Sequence, residues 1–369
     1  MASITKRPDG RWRARHRDRT GKEHARHFTR KIDAQNWLDS VTTAVGTGSY
    51  VDPSRAKVTV GTMADQWFAG KINLRATTNA RYESALRVHV IPRWGDVRLD
   101  KIEHGDVQRW LAQLSAAGQA GASVRKAHGV LSAILDLAVR ERRLASNPSQ
   151  GVNLPALNER RRGYLTAEQV DQLASNAGVG RLPVLVLAYC GLRWSELAGL
   201  RRRDVDLMRR RLNIERAVTE VNGGRLAWNS PKNHERRSVP LPRFLVKELT
   251  TYLARLSADD LVFTGANGGV LRNRNARRDW FNAAAKAIGE PALTPHELRH
   301  TAASLAVSAG ANVKAVQRML GHASAAMTLD RYADLFDDDL DAVAERLDVV
   351  YEGASQASGQ RLELAASDA

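Results

Sequence analysis

Between Val58 and about Val152, apolar residues recur at three- and four-residue steps, which is helical spacing. Four segments carry the pattern: "GTMADQWFAGK", "TNARYESALRVHVIPRW", "EHGDVQRWLAQLSAAG" and "ASVRKAHGVLSAILDLAVRERRLA". They predict an all-α domain over 58–152. A further helix is expected over 31–46, with Ile32, Trp37, Leu38, Val41 and Val45 turned inward. Ahead of it the period shortens to two. In "RWRARHRDR" arginines stand at 11, 13, 15, 17 and 19, and a strand would place all five on one face. Turn signals at "PDG" (8–10) and "RTGKE" (19–23) bracket that stretch, so residues 1–50 read as a small β-sheet backed by one helix. Linkers rich in Gly, Ser, Pro and Asn follow at 46–57 and 146–163. From 164 to 348 the pattern is mixed but mainly helical, an α+β domain. It holds a strand over 211–221, a hairpin over 224–241, and two helices meeting at Gly310. Near the end, Phe336, Leu340, Val343, Leu347 and Val350 form an apolar stripe on an acidic helix, expected to dock either on its own domain or on a neighbouring protomer. The Gly/Ser/Ala-rich residues of 349–369 read as a flexible tail.

Charge changes the picture most. Lysine and arginine number 56 and acidic residues 40, a net +16, which points to a polyanionic partner. The first 50 residues alone hold 11 basic and 5 acidic side chains. A purely structural explanation for the arginine row is an edge strand protected by charge. In the helical segment, Lys71, Arg75, Arg81, Arg87, Arg125 and Lys126 are candidates to line a phosphate-facing surface. With Cys190 as the single cysteine, an intramolecular disulfide and a thiolate zinc cluster are both excluded, and a reducing compartment is expected. The N-terminus lacks the apolar core of a secretory signal, and the longest apolar run (182–192) is too short to cross a bilayer.

Candidate chemistry begins at "HELRH" (296–300), which fits the zinc-peptidase pattern H-E-x-x-H. A competing reading gives each residue different work. Thr294, Pro295 and Glu297 fit an N-cap, first-turn proline and capping box. His296 and Arg299, three apart at a helix start, form a phosphate clamp. Zinc would need a third ligand; no glutamate occurs between 298 and 344, which leaves His322. Elsewhere, Arg193 follows Gly191 in an apolar stretch, with Glu196 three residues on to orient it. Lys232 sits in the loop of the expected hairpin, His322 follows a helix-ending Gly321, and Tyr332 lies on a helix between Arg331 and Asp334.

Arg193 in "GLRWSEL", Lys232, His296 and Arg299 in "PHELRH", His322 in "LGH" and Tyr332 in "RYAD" together resemble the tyrosine recombinase, or phage integrase, family. The resemblance extends to the plan of the chain: 1–50 resembles an arm-type DNA-binding domain, 58–152 a core-type DNA-binding domain, and 164–348 a catalytic domain. The type with an arm domain serves temperate phages and integrative elements. What the resemblance implies is attack by Tyr332 on a DNA phosphate, giving a 3′-phosphotyrosine and a free 5′-hydroxyl. Arg193 and Arg299 would stabilise the charge on the phosphate, and His322 would hydrogen-bond it. Lys232 would protonate the leaving oxygen, and His296 would assist proton transfer at the nucleophile. No cofactor or metal is expected. The partners implied are double-stranded DNA at core and arm sites, a homotetramer on that DNA, and a host DNA-bending factor and an excisionase; no membrane is involved. The location would be the bacterial cytoplasm, at the nucleoid. Three rivals remain on the sequence: a non-catalytic helix-turn-helix regulator, drawn from the helices meeting at Gly310, a strand-relaxing topoisomerase, and a zinc hydrolase.

Overall fold

The computed structural model describes residues 2–18, 21–47, 50–52, 54–157, 163–229, 236–332, 347–349 and 351–352. The chain divides into two units, Met1–Glu159 and Arg160–Ala369. Its secondary structure is mostly helical with small sheets.

The first unit opens with strands β1 (Ser3–Lys6), β2 (Trp12–Arg17) and β3 (Glu23–Phe28), antiparallel in the order β1-β2-β3. Helix α1 (Lys31–Thr47) packs on β2. The period-two pattern holds: Ala14 and His16 are buried, while Arg15 and Arg17 are exposed. Two expectations need correction. Arg13, Arg15 and Arg17 lie on the strand, but Arg11 precedes it and Arg19 is outside the described residues. The strand is also central, not an edge, and Glu23 of β3 lies within 4.0 Å of all three arginines, so their repulsion is partly offset within the sheet. On α1, Ile32 points outward at 57% exposure, and Ala34 and Leu38 make the buried contact instead.

Helices α2 (Val60–Ala69), α3 (Ala76–Ala85), α4 (Ile91–Trp94), α5 (His104–Ala116) and α6 (Gly121–Arg140) follow. Each has a local cause. Thr59 caps α2 by accepting from the Thr62 N–H. Between α3 and α4 a π-turn spans Leu86–Val90; Pro92 has no N–H to give the preceding turn, and the wider turn absorbs that loss. A capping box of Glu103 and Asp106 starts α5. On α6, Val124, Ala127, Leu131, Ile134, Leu135 and Ala138 form one buried face, packed with Trp67, Trp94 and Trp110. Of the basic candidates here, Arg125 is part-buried and donates to the Pro155 carbonyl at 2.8 Å, which gives it a structural task.

The second unit holds α7 (Ala167–Asn176), α8 (Arg181–Cys190), α9 (Trp194–Ala198), α10 (Arg243–Leu253), α11 (Asn273–Ala276), α12 (Asn282–Ala287), α13 (Glu297–Ser308), α14 (Val313–Leu320) and α15 (Ala325–Tyr332). The apolar run of 182–192 becomes α8, buried nearly all round; Pro183 is tolerated because the first-turn N–H groups lack intrahelical partners anyway. Between α9 and α10 lie five short strands. These are β4 (Val205–Asp206), β5 (Arg211–Ile214), β6 (Ala217–Glu220), β7 (Leu226–Asn229) and β8 (Arg237–Pro240). These strands differ from those expected. The expected strand over 211–221 is two strands, β5 and β6, broken at Glu215 and Arg216. The expected hairpin over 224–241 does not form: β7 pairs with β6, and β8 pairs with β5. Lys232 lies outside the described residues. So do four residues of the C-terminal stripe; the fifth, Leu347, is 63% exposed. Among the described residues, no helix is long and apolar enough to cross a membrane.

Candidate active site

Two helix ends organise the site. Helix α8 ends at Gly191 and α14 at Gly321, both left-handed at φ 65° and 63°. A helix C-terminus presents carbonyls without intrahelical donors and the negative end of the helix dipole, so cations gather there. Three arginines do. Arg299 donates to the Gly191 carbonyl at 2.5 Å and to the Leu320 carbonyl. Arg193 reaches the Gly321 carbonyl at 3.3 Å, and Arg237 Nε reaches the Met319 carbonyl at 3.0 Å. Neither glycine tolerates a side chain. A Cβ on Gly191 would stand 2.7 Å from Leu320 Cδ2, and one on Gly321 would stand 2.9 Å from Arg237 Cδ.

One carboxylate holds this cluster together. Glu196 is 1% exposed and accepts from Arg193 Nη1 at 2.8 Å and from Arg237 at 2.9 and 2.7 Å. It also accepts from the Arg193 backbone N–H at 2.9 Å, which starts α9. Burial raises its pKa, but the hydrogen bonds and charge of Arg237, joined by Arg193, outweigh burial and hold the carboxyl at about 2. Arg299 shows the reverse balance. Burial, then the neighbouring guanidiniums of Arg193 and Arg237, outweigh Glu196 and pull it down to about 9. Three guanidiniums gather near one carboxylate that bonds two of them, so the cluster keeps a positive surplus suited to an anion.

Tyr332 closes the arrangement. Its ring is 1% exposed and packs with Ala303, Val307, Val316 and Leu320, so it is a core residue as well as a candidate nucleophile. Its hydroxyl lies 2.7 Å from His300 Nδ1. Its ring stacks parallel to that of His322 at 6.3 Å, and His322 Nδ1 is 2.9 Å from the Thr328 hydroxyl. Thr328 and Tyr332 sit four apart on α15, which brings both to one face. A charge on Tyr332 would favour the Arg299 guanidinium, so the phenol and the arginine cluster share one electrostatic environment.

The sequence candidates thus converge in part. Arg193, Glu196, Arg299, His322 and Tyr332 lie in one neighbourhood. His296 is exposed at the N-cap of α13, with its ring edge-on to His300 at 5.1 Å. The expected capping box is half formed: Glu297 accepts from the Thr294 N–H at 2.5 Å, but the Glu297 N–H goes to the Thr294 carbonyl and not to its hydroxyl. In the zinc reading of "HELRH", His296, His300 and His322 would hold the metal and Glu297 would activate water; here Glu297 accepts from the Thr294 N–H, His300 lies against the Tyr332 hydroxyl and His322 against the Thr328 hydroxyl. Among the described residues, one group gathers three ligand-type atoms within 4.8 Å: Asp18, His24 and Asp52, in the first unit. The Lys22 ammonium sits 2.8 Å from Asp52 there. Arg237 and His300 were not singled out as site residues from sequence. His300 was visible only as part of the zinc pattern, and Arg237 only as one of two adjacent arginines before an apolar strand.

Two family profiles match the chain: "Phage integrase family" over 163–338, and "Phage integrase, N-terminal SAM-like domain" over 59–115. The chain is 28% identical to the prophage phiRv2 integrase of Mycobacterium tuberculosis, over 87% of this chain and 88% of that one. It is 30% identical to the tyrosine recombinase XerC of Mycobacterium bovis, over 62% of this chain and 78% of that one. In fold it is similar to the Tn1549 transposon integrase, solved with transposon right end DNA (TM-score 0.67, 21% identity, covering 79% of this chain and 100% of that one). It is also similar to lambda integrase, solved as a dimer on a COC' core site (TM-score 0.58, 19% identity, covering 91% and 95%). These relatives displace the non-catalytic regulator suggested by the helices meeting at Gly310: those helices are α13 and α14, which supply Arg299, His300 and the carbonyls that hold the arginines. The chain belongs to the phage integrase family, and is a site-specific tyrosine recombinase that cleaves and rejoins DNA.

Proposed function

We propose that this recombinase integrates and excises the genome of a phage or mobile element, with Tyr332 as its nucleophile. The observation that carries the reading is the convergence of Arg193 and Arg299, held by Glu196 and two helix ends, on the neighbourhood of the Tyr332 phenol. Tyr332 attacks a scissile phosphate, leaving a 3′-phosphotyrosine and a free 5′-hydroxyl. Arg193 and Arg299 stabilise the charge that builds on the non-bridging oxygens, a task that metal ions perform in other enzymes. Arg193 is the more exposed of the two, with 24% of its side chain accessible, so the phosphate approaches past it. His322 hydrogen-bonds the phosphate, Lys232 protonates the departing oxygen, and His296 assists proton movement at the nucleophile's side. The 5′-hydroxyl of a partner strand reverses the attack, so the bond energy is conserved through the covalent link. No cofactor enters these steps.

The rest of the reading concerns partners. Residues 1–50 bind arm-type DNA through Arg11, Arg13, Arg15, Arg17 and Arg19; 58–152 grip the core site, and 164–348 catalyse. Four copies assemble on two duplexes, in the bacterial cytoplasm at the nucleoid, with a host bending protein and an excisionase setting direction. Lambda integrase solved as a tetramer on a Holliday junction supports the assembly by analogy of fold. Nicked DNA spanning the element's own junction tests the chemistry. The wild type is expected to yield a covalent protein–DNA band on denaturing gels, and Tyr332→Phe to bind the same DNA without that band. A band of equal strength from Tyr332→Phe would refute the assignment.

A further inference from the structure

A buried phenol cannot give its proton to bulk water. Tyr332 is 1% exposed, and loss of its proton without a nearby acceptor would leave an anion in a largely apolar setting. His300 Nδ1 lies 2.7 Å from the Tyr332 hydroxyl, and His300 is itself buried at 6% exposure. Helix geometry explains the pairing. Arg299 and His300 are adjacent on α13; Arg299 reaches the ends of α8 and α14, while His300 meets α15. Around His300, His296 lies edge-on at 5.1 Å, Arg299 is the chain neighbour, and His322 and Tyr164 flank the Tyr332 ring at 6.3 and 6.4 Å.

We propose that His300 is a catalytic residue of the cleavage step, the base that takes the Tyr332 proton. The proposal rests on Tyr332 being the nucleophile. In cleavage, the bond from the Tyr332 oxygen to phosphorus forms and the bond from phosphorus to the 5′-oxygen breaks. The phenolic proton moves to His300 Nδ1, and the 5′-oxygen takes a proton from Lys232. In rejoining, the 5′-hydroxyl returns its proton to Lys232 as its oxygen bonds to phosphorus, and the displaced phenolate recovers its proton from His300. The step requires the neutral imidazole to carry its hydrogen on Nε2, with the hydroxyl donating to Nδ1.

The test measures covalent adduct formation in single turnover on nicked junction DNA, across pH 6 to about 9.5, the span over which a histidine base and a phenol titrate. His300→Asn retains a hydrogen-bond acceptor for the hydroxyl but no base. It is expected to form adduct roughly 100-fold to 1,000-fold more slowly than wild type near neutral pH. Its rate should climb with pH as the phenol ionises unaided, narrowing the gap. Replacing Tyr332 by a more acidic fluorotyrosine in the His300→Asn background should restore much of the rate, because the base is then less needed. A merely structural role predicts a pH-independent defect with no fluorotyrosine rescue, and that result overturns the proposal. So does a His300→Asn enzyme as fast as wild type. Should His300→Asn lower the melting temperature, His300→Gln is assayed beside it, and the rescue by fluorotyrosine in either background decides. Loss of all adduct in Tyr332→Phe tests the nucleophile separately, so failure of the base leaves that reading standing.

Discussion

At the scale of single residues, Glu196 sets the balance of the site. It is a buried carboxylate serving two guanidiniums, and removing one partner of such a set leaves charge uncompensated. Its pKa is depressed from 4.5 to about 2, so its contribution is fully present above pH 4.5 and fades as pH falls towards 2. The depression corresponds to roughly 3 kcal/mol. Glu196→Gln should therefore unfold at lower urea concentration than wild type at pH 7, with a gap of about 3 kcal/mol that shrinks on acidification. A gap that grows towards low pH would contradict the assignment. Arg193, Glu196, Arg299, His322 and Tyr332 were legible in sequence because each stood in a short recognisable context. His300 was not, because its partner lies 32 residues away on a different helix and only the tertiary fold brings the two together. Arg237 was hidden for the same reason, being 41 residues from Glu196.

At the scale of elements, the site depends on where two helices stop. The left-handed caps at Gly191 and Gly321 turn carbonyls towards the arginines, and the close contacts at both leave no room for a methyl group. Gly321→Ala combines an unfavourable φ of 63° with a clash against Arg237, which Glu196 and Met319 hold in place. It should destabilise the protein by more than about 1 kcal/mol, read from chemical denaturation, and slow adduct formation while the far-ultraviolet spectrum stays helical. Of the two C-caps, Gly321 is legible as a helix-ending glycine, and α2, α5 and α6 are readable from periodicity. The strands were less so. Runs of four residues are too short for periodicity to assign partners, and β7 and β8 are successive strands yet pair with different partners. Ile32 failed for a related reason: it is the second residue of α1, where the helix has barely entered its contact with β2.

At the scale of the whole molecule, a basic N-terminal sheet and a helical segment precede the unit that holds the arginine cluster and Tyr332. The sheet's three arginines are partly matched by Glu23, so their value for DNA is a sum of phosphate contacts and not a relief of internal strain. Replacing Arg13, Arg15 and Arg17 by Ala should lower affinity for arm-type DNA and reduce the salt dependence of log Kd by roughly 2 to 3, while adduct formation on short core-site DNA stays near wild type. An unchanged salt slope would remove the sheet from the DNA interface. The covalent link is the claim on which the rest turns. The most direct measurement is to trap the adduct on nicked junction DNA, digest it with protease and nuclease, and locate the attached nucleotide by mass spectrometry. The account requires a 3′-linked nucleotide on the peptide containing Tyr332; a nucleotide on any other residue, or a 5′ linkage, would contradict it.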